Sequence, residues 1–494
     1  MPERVRHDEG TDLDHDLLII GGGINGCAIA REASLLGLSV LLVDKGDLAG
    51  ETSSKSTKLI HGGLRYLEYY EFRLVREALH ERERLLKAAP HLIHGLQFVL
   101  PHEHAVRPWW MVRAGLYLYD VLGGRSSLPR SRGLKSSDRD FTSPLKGGNS
   151  GFVYWDAAVD DARLTLANAR DAAANGAAIE TYIALDSAER IEGGWRATLA
   201  DGRTVTARGL VNAAGPWVHA MLGRLGVTTA SNVRLVKGSH IVVPRLYDGD
   251  HAYILQQPDR RIVFAIPYQR DFTEIGTTDI PVDAPEDAVI DPAEIAYLCE
   301  AANRHFVRQI APADVMSTWS GVRPLYDDGA TDAASVTRDY VLDLDDDGAP
   351  LLSIFGGKIT TARHLAEEAM AKLGPALGVA PYPVTLARVF PGGGIADFDS
   401  FLAQVRATWP FLGAARSARM AHAYGTELAA MLDGIGDEAA IGRAFGGGLT
   451  ETELAWMRDH EWARSAADAL DRRSKLGLHM TADERAAVAA WFGR

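Results

Sequence analysis

Leu17, Leu18, Ile19 and Ile20 are uninterrupted apolar positions that run into the glycine-rich stretch 21–26 (GGGING). So short a run predicts a buried strand. Over 25–36 the apolar positions take a helical spacing, and a second apolar run over 39–43 ends at Asp44. Strand, glycine turn, helix, strand and acid in that order make the βαβ unit that binds dinucleotides. Gly21 permits the tight turn, Gly23 lets backbone N–H groups approach a pyrophosphate, and Gly26 lets the helix pack against the strand. Asp44 can accept a hydrogen bond from a ribose hydroxyl. The phosphates belong at the helix N-terminus, where N–H groups and the helix dipole favour anions. The pattern leaves open which dinucleotide is bound and for what reaction.

Further along, the polar loop 46–58 is either solvated or lies along a cofactor, and 59–66 (LIHGGLRY) gathers a His, a Gly pair, an Arg and a Tyr. An amphipathic helix is predicted over 71–88, with Leu74, Ala78 and Leu85 on one face and Pro90 past its end. Segment 107–122 (RPWWMVRAGLYLYDVL) is aromatic and apolar but broken by Arg113 and Asp120. It is too short and too charged to span a bilayer. A helix packed in the core is the first reading, and a helix on a membrane surface the second. The stretch 126–151 reads as loop, 160–175 as helix, and 178–191 and 195–207 as strands with a turn at 201–202. A short strand then runs into LVNAAG at 210–215. From 234 to about 280 the alternation is that of an antiparallel sheet. Asp291 caps and Pro292 opens a helix to about 309. A strand over 351–355 enters Gly356, Gly357 and Lys358, and a helix follows to about 373. From 391 the chain is Ala-rich and helical.

A chain of 494 residues, 47% hydrophobic and 24% charged, has the make-up of a soluble protein of two or three domains. The net charge of -13 argues against nucleic-acid binding, so an anionic substrate needs a local cationic pocket. Cys27 and Cys299 are the only cysteines, which supports neither a disulfide framework nor a cysteine metal site and fits a reducing cytoplasm. No metal is expected. Residues 1–15 lack the apolar core of a signal peptide and are expected to be a disordered leader.

The blocks GGGING, SSKSTKLIHGGLRYLEYYEFRLVREAL, VDDARLTLANA, LVNAAGPW, VKGSHIVVP, AYILQ, IGTTD, SGVRPL, TRDYVLD and FGGKITTARHLAE occur in this order between 16 and 391. Together they resemble the FAD-dependent glycerol-3-phosphate dehydrogenase family of the aerobic, quinone-linked type. The resemblance implies FAD at the Gly21 loop and oxidation of sn-glycerol 3-phosphate to dihydroxyacetone phosphate. It also implies delivery of electrons to membrane quinone by an enzyme held peripherally on the inner face of the cell membrane, and it is compatible with a homodimer. The alternative is a glycerol-3-phosphate oxidase that uses O2 and makes hydrogen peroxide. Relatives of that kind typically carry an insertion in the later catalytic region, and none is seen. The implied fold is α/β: a Rossmann-like FAD-binding domain (16–90, 151–230, 335–390) interleaved with an antiparallel-sheet substrate domain (91–150, 231–334), then a C-terminal all-helical domain (391–494). The chain departs from the family in the first helix, with Ala28, Glu32 and Leu36-Gly37. It departs again at Ala362, where the family usually has a tyrosine.

For the alcohol proton the base is expected to be His240, on an apolar strand, with His61 as rival and as a residue near the flavin. For phosphate, Arg323 and Arg338 lead, with Arg65 and Lys358 behind them, because a guanidinium can contact two oxygens at once. Tyr66 is expected to orient substrate. Charge arriving on the flavin falls to the turn Gly356, Gly357 and Lys358. Ala214 and Gly215 are expected along the cofactor, and Asn25, Ser53, Ser54, Lys58 and Thr360 complete the implied cofactor set.

Overall fold

The computed structural model of the chain describes residues 13–103, 105, 107–147, 150–327 and 340–493. Most of the expected leader lies outside the described residues, but its last part belongs to the fold. Strand β1 starts at His15 (His15–Ile20), and the Asp14 carboxylate accepts from the Thr206 N–H at 2.8 Å.

The first sheet is built on β1. It pairs in parallel with β2 (Val40–Asp44) on one side and with Thr204–Asn212 on the other, and Leu351–Gly356 continues the sheet beyond the latter. Their central stretches, such as 17–20 and 40–43, are runs of apolar residues because both faces are covered. Helix α1 (Ile24–Leu35) packs on one face with the helices Asp161–Ala174 and Ala362–Leu373, and Trp195, Leu222 and Phe355 belong to the core on the other. The turn into α1 requires glycine. Gly21 has φ +111, and a Cβ on Gly26 would lie 1.9 Å from the Gly21 carbonyl oxygen. The single strand expected over 178–191 is two. Tyr182 turns to φ +61, so Ala178–Thr181 pairs with β2 while Leu185–Ile191 joins a hairpin with Gly194–Leu199.

The second sheet has ten strands among the described residues, centred on Val233–Pro244 between Ser317–Tyr326 and Phe272–Gly276. It is antiparallel as expected except where Ala252–Gln256 meets Ile93–Pro101. Two of its strands, Leu59–Ile60 and Gly151–Val159, come from segments expected to serve the first sheet. The two domains therefore exchange chain more often than the sequence pattern suggests. The helix Pro292–His305, started by a capping box between Asp291 and Glu294, covers one face, against Ile241 and Val243. His240, next to Ile241 on the same strand, faces the other way.

Residues 398–492 form helices around a core of their own, which includes Met420, Tyr424, Leu454 and Met457. They also hold a short ladder, Ala444–Gly446 with Leu449–Thr450, that an all-helical reading does not foresee. Buried ion pairs tie this region to the rest. Asp47, in the loop after β2, binds Arg472 at 2.6 Å and Arg473 at 2.7 Å. Arg163 binds Glu461 at 3.2 Å.

The helix Trp109–Leu122 differs from its first reading. Among its residues only Leu116 and Tyr119 are buried, while Trp110 is 65% and Tyr117 60% exposed. An apolar helix shows its composition in sequence but not which side it turns to solvent.

Removing Asp47 leaves two arginines near the protein interior without their carboxylate. Asp47→Ala is expected to destabilise the fold by about 3–5 kcal/mol, read as a lowered urea midpoint. An unchanged midpoint would show that the C-terminal region is held by its apolar contacts alone.

Candidate active site

A cleft of about 220 Å³ opens at the carboxyl ends of the first sheet, lined by Gly21, Gly23, Asp44, Ser53, Ala214 and Gly215, all expected at a cofactor. Sequence reasoning missed Lys45 and Trp217, which also line it. The Lys45 ammonium sits 3.5 Å from the Trp217 ring centre. Asp44 accepts from the Gly22 N–H at 2.6 Å and the Gly46 N–H at 2.7 Å, and its burial pushes its pKa upward against those bonds. Ser53 Oγ accepts from the Ile24 N–H at 2.9 Å, which brings the loop after β2 onto the start of α1.

The second glycine turn closes on the first. Asn25 Nδ2 donates to the Gly356 carbonyl at 3.2 Å, and a Cβ on Gly357 would lie 2.7 Å from that nitrogen. Both glycines have positive φ, +85 and +98. Lys358 follows in extended conformation, its ammonium 4.2 Å from the centre of the Tyr66 ring, and buried Thr360 lies in the turn that leads into the helix Ala362–Leu373. Ala362 is buried in that helix.

Tyr66 lies on the short helix Leu64–Tyr69, with Arg65 beside it, half-buried like His61 on the loop before it. Its loop is fixed from below. The Gly62 N–H donates to Tyr119 Oη at 2.8 Å, and that hydroxyl donates to Asp156, which pairs with Arg82 at 2.6 Å.

A second cluster forms where the loop 52–58 crosses the second sheet. Thr52 donates to the Val322 carbonyl at 2.7 Å. His240 Nε2 lies 3.0 Å from Thr57 Oγ1 and 3.7 Å from Glu274 Oε1, and its ring stacks on Trp319 with centroids 5.3 Å apart. Burial, then Lys58 and Arg323, holds the imidazole well below its usual pKa, so it is neutral. Lys58, expected at the cofactor, is committed elsewhere. Its ammonium donates to Asp161 at 3.0 Å and to the Ser54 carbonyl at 2.9 Å, and lies 4.6 Å from the Trp319 ring. The reason is burial, since a lysine this deep needs a carboxylate. Arg323 Nη2 reaches Asp279 at 2.7 Å and the Thr278 carbonyl at 2.8 Å. Arg338 lies outside the described residues. Thr57, Glu274 and Trp319 were missed as site residues. The one visible sign of Glu274 is an acid among the apolar positions of a strand.

Residues 16–363 match the family of FAD dependent oxidoreductases. The chain belongs to that family. It is 48% identical over 488 residues to D-erythritol 1-phosphate dehydrogenase of Brucella abortus (strain 2308), covering 97% of each chain. It is 48% identical to glycerol-3-phosphate dehydrogenase of Pseudomonas aeruginosa, covering 95% of this chain and 93% of that one. With the aerobic glycerol-3-phosphate dehydrogenase of Escherichia coli (strain K12) it shares 47% identity over 97% of each chain. Among solved structures, the glycerol-3-phosphate dehydrogenase from Bacillus halodurans complexed with FAD superposes with a TM-score of 0.73 at 26% identity, over 97% of this chain and 94% of that one. The expected α/β fold, the family and FAD as cofactor are all borne out. The residues fit that cofactor: the Gly21 and Gly356 turns leave no room for a Cβ, and Asn25 Oδ1 is buried between them without a hydrogen-bond partner.

Glu274 also titrates in this flavoenzyme. Burial pushes its pKa up to about 8 from 4.5. Between those values the folded state keeps a proton that the unfolded chain has lost, so stability falls as pH rises through the interval. Glu274→Gln is therefore expected to gain stability relative to the wild type on going from about pH 5 to about pH 9, measured by urea midpoints. A difference independent of pH would place the carboxyl in a more solvated setting.

Proposed function

We propose that this flavoenzyme oxidises sn-glycerol 3-phosphate to dihydroxyacetone phosphate and passes the electrons to membrane quinone. The observation that carries this reading is the identity of 47–48% with two glycerol-3-phosphate dehydrogenases over nearly the whole of each chain. Alcohol oxidation needs a base for the hydroxyl proton, an acceptor for the hydride and cations for the phosphate. Bound FAD supplies the two-electron acceptor. His240 is held neutral, as a base must be. Its Nε2 is occupied by Thr57, and its buried Nδ1 has no hydrogen-bond partner. Nδ1 is thus the atom that takes the hydroxyl proton. Arg323, paired with Asp279, and Lys358 over Tyr66 bind and orient the phosphate and the reacting carbon, together with Arg65 and Arg338.

A second reading concerns substrate length. The Brucella relative is a D-erythritol 1-phosphate dehydrogenase at the same 48% identity, so a four-carbon polyol phosphate is the competing substrate. A second acceptor, O2, would make the protein an oxidase. Anaerobic mixing tests the two substrates, and adding quinone or O2 afterwards tests the acceptor. Glycerol 3-phosphate is expected to bleach the flavin, quinone to restore its colour, and His240→Ala to slow bleaching by about 10²-fold or more. Bleaching by erythritol phosphate alone, or stoichiometric peroxide without quinone reduction, would replace this reading.

Quinone lies in the bilayer, and the exposed side of the helix Trp109–Leu122 is the surface we assign to it. Trp110 and Tyr117 are exposed, as is Tyr70 at 79%, and Arg107 joins the two segments through Glu68 at 3.7 Å. Aromatic rings flanked by arginines suit the headgroup region. No helix among the described residues is long and apolar enough to cross a membrane, so the contact proposed is peripheral, at the cytoplasmic face. The combined variant Tyr70→Ser, Trp110→Ser and Tyr117→Ser is expected to lose most of its co-sedimentation with anionic liposomes while flavin reduction in solution is retained. Undiminished binding would move the membrane contact elsewhere.

A further inference from the structure

Glu274 sits on the strand Phe272–Gly276, next to the strand of His240. The register pairs His240 with Gly276 and Val242 with Glu274, so the acid lies diagonally across from the histidine on the same face. It is 1% exposed, and both its carboxyl oxygens are buried without a hydrogen-bond partner. A carboxyl in that condition is costly to keep. The nitrogen nearest to it on this face is His240 Nε2, at 3.7 Å, about 0.7 Å beyond the usual hydrogen-bond distance.

His240 has a difficulty as a base. It is buried against Lys58 and Arg323, which oppose a positive ring. Once Nδ1 has taken the substrate's proton, the imidazolium must be neutralised or lose its other proton. We propose that Glu274 is the second proton acceptor, so that His240 passes a proton through its ring rather than storing one. This rests on the reading of His240 as the base. In the step, the substrate O–H bond breaks and Nδ1–H forms. Nε2–H then breaks and a Glu274 Oε1–H bond forms, while the C–H electron pair leaves the substrate carbon as hydride, for which bound FAD would supply the acceptor. Thr57 Oγ1, 3.0 Å from Nε2, accepts the Nε2–H at rest and so fixes the tautomer that leaves Nδ1 to take a proton; the transfer to Glu274 Oε1, 3.7 Å away, follows a shift of the charged ring toward the carboxyl. Glu274 is thus a positioning and relay residue that does not touch substrate.

The groups around the acid set its charge. Lys58, from the loop 52–58, and Lys475, from the C-terminal region, favour the carboxylate, whereas burial and Asp161 oppose it. On its own sheet, Tyr268 feels the same carboxyl. Near neutral pH the acid is poised between its two forms, so the relay strengthens as pH rises and more carboxylate is present.

The test compares the FAD-loaded wild type with Glu274→Gln, which preserves shape but accepts no proton. Without turnover, the infrared carboxylic C=O band of a buried acid should fade in the wild type as pH rises through about 8, and Glu274→Gln should lack it. Absence of that band in the wild type would overturn the proposal even if the variant fails to fold. With glycerol 3-phosphate under anaerobic conditions, the wild-type limiting rate of flavin reduction should rise with pH and level off above the same point. The variant should lose that rise and run at least about tenfold slower at the plateau, with KM within about threefold. A variant with the wild-type rate and profile would overturn the relay. His240→Ala with fast reduction would overturn the base assignment as well, which separates the two failures. If only erythritol phosphate bleaches the flavin, the substrate reading fails, and the same comparison with that substrate decides the relay.

Discussion

The buried pair of Lys58 and Asp161 is the joint on which this structure depends. Asp161 opens the helix that packs beside α1 under the dinucleotide sheet, and Lys58 closes the loop that runs from the cofactor cleft to the substrate sheet. At 3.0 Å the pair holds these two regions together, and the Lys58 ammonium reaches on to the Trp319 ring of the second sheet. A buried ion pair is a poor source of net stability compared with apolar packing. What it gives here is position. An ammonium at this depth is satisfied in few places, so the loop carrying Thr57 and His61 has few ways to lie.

From that joint a line of alternating charges runs outward. Lys475 binds Asp160, the residue before Asp161, and Glu274 lies on the other side within the field of both lysines. The C-terminal region therefore contributes a charge, Lys475, that acts on the Glu274 carboxyl. Arg163, two residues further along the same helix, donates to carbonyls of Ala423 and Arg473 and pairs with Glu461. Three separate stretches of chain converge on the first turn of one helix. Of the charges gathered there, Lys475 and Asp161 act on the Glu274 carboxyl, together with Lys58.

What could be read from the sequence was local in the chain. The GGGING turn declares itself because its glycines, helix and following acid lie within about thirty residues, and each has a steric reason. The Gly356–Lys358 turn is legible for the same reason. His240 stood out as a histidine on an apolar strand. Glu274 did not, because its meaning comes from the pairing of Val242 with Glu274, and a register between strands is not written in either strand alone. Lys58 was misplaced for a similar reason: its partner is 103 positions away. The helix Trp109–Leu122 was apolar on too many sides for periodicity to say which of them meets solvent.

The same distinction bears on the hostile setting of the proposed base, His240. Lys58 serves the architecture, yet its charge pushes the proton off His240 and draws one off Glu274. One cation thus moves the two neighbouring groups in the same downward direction, against a desolvation that acts on them in opposite senses: burial lowers a histidine's pKa and raises a glutamate's. The outcome is a neutral imidazole beside an acid poised near neutrality, the order needed for a proton to move from substrate to ring to carboxyl. A histidine with no such acid would have to hold its proton beside Lys58 and Arg323 until water reached it. In a cluster this buried, the proposed relay through the carboxyl behind the ring is what would let the joint and a histidine base occupy the same place.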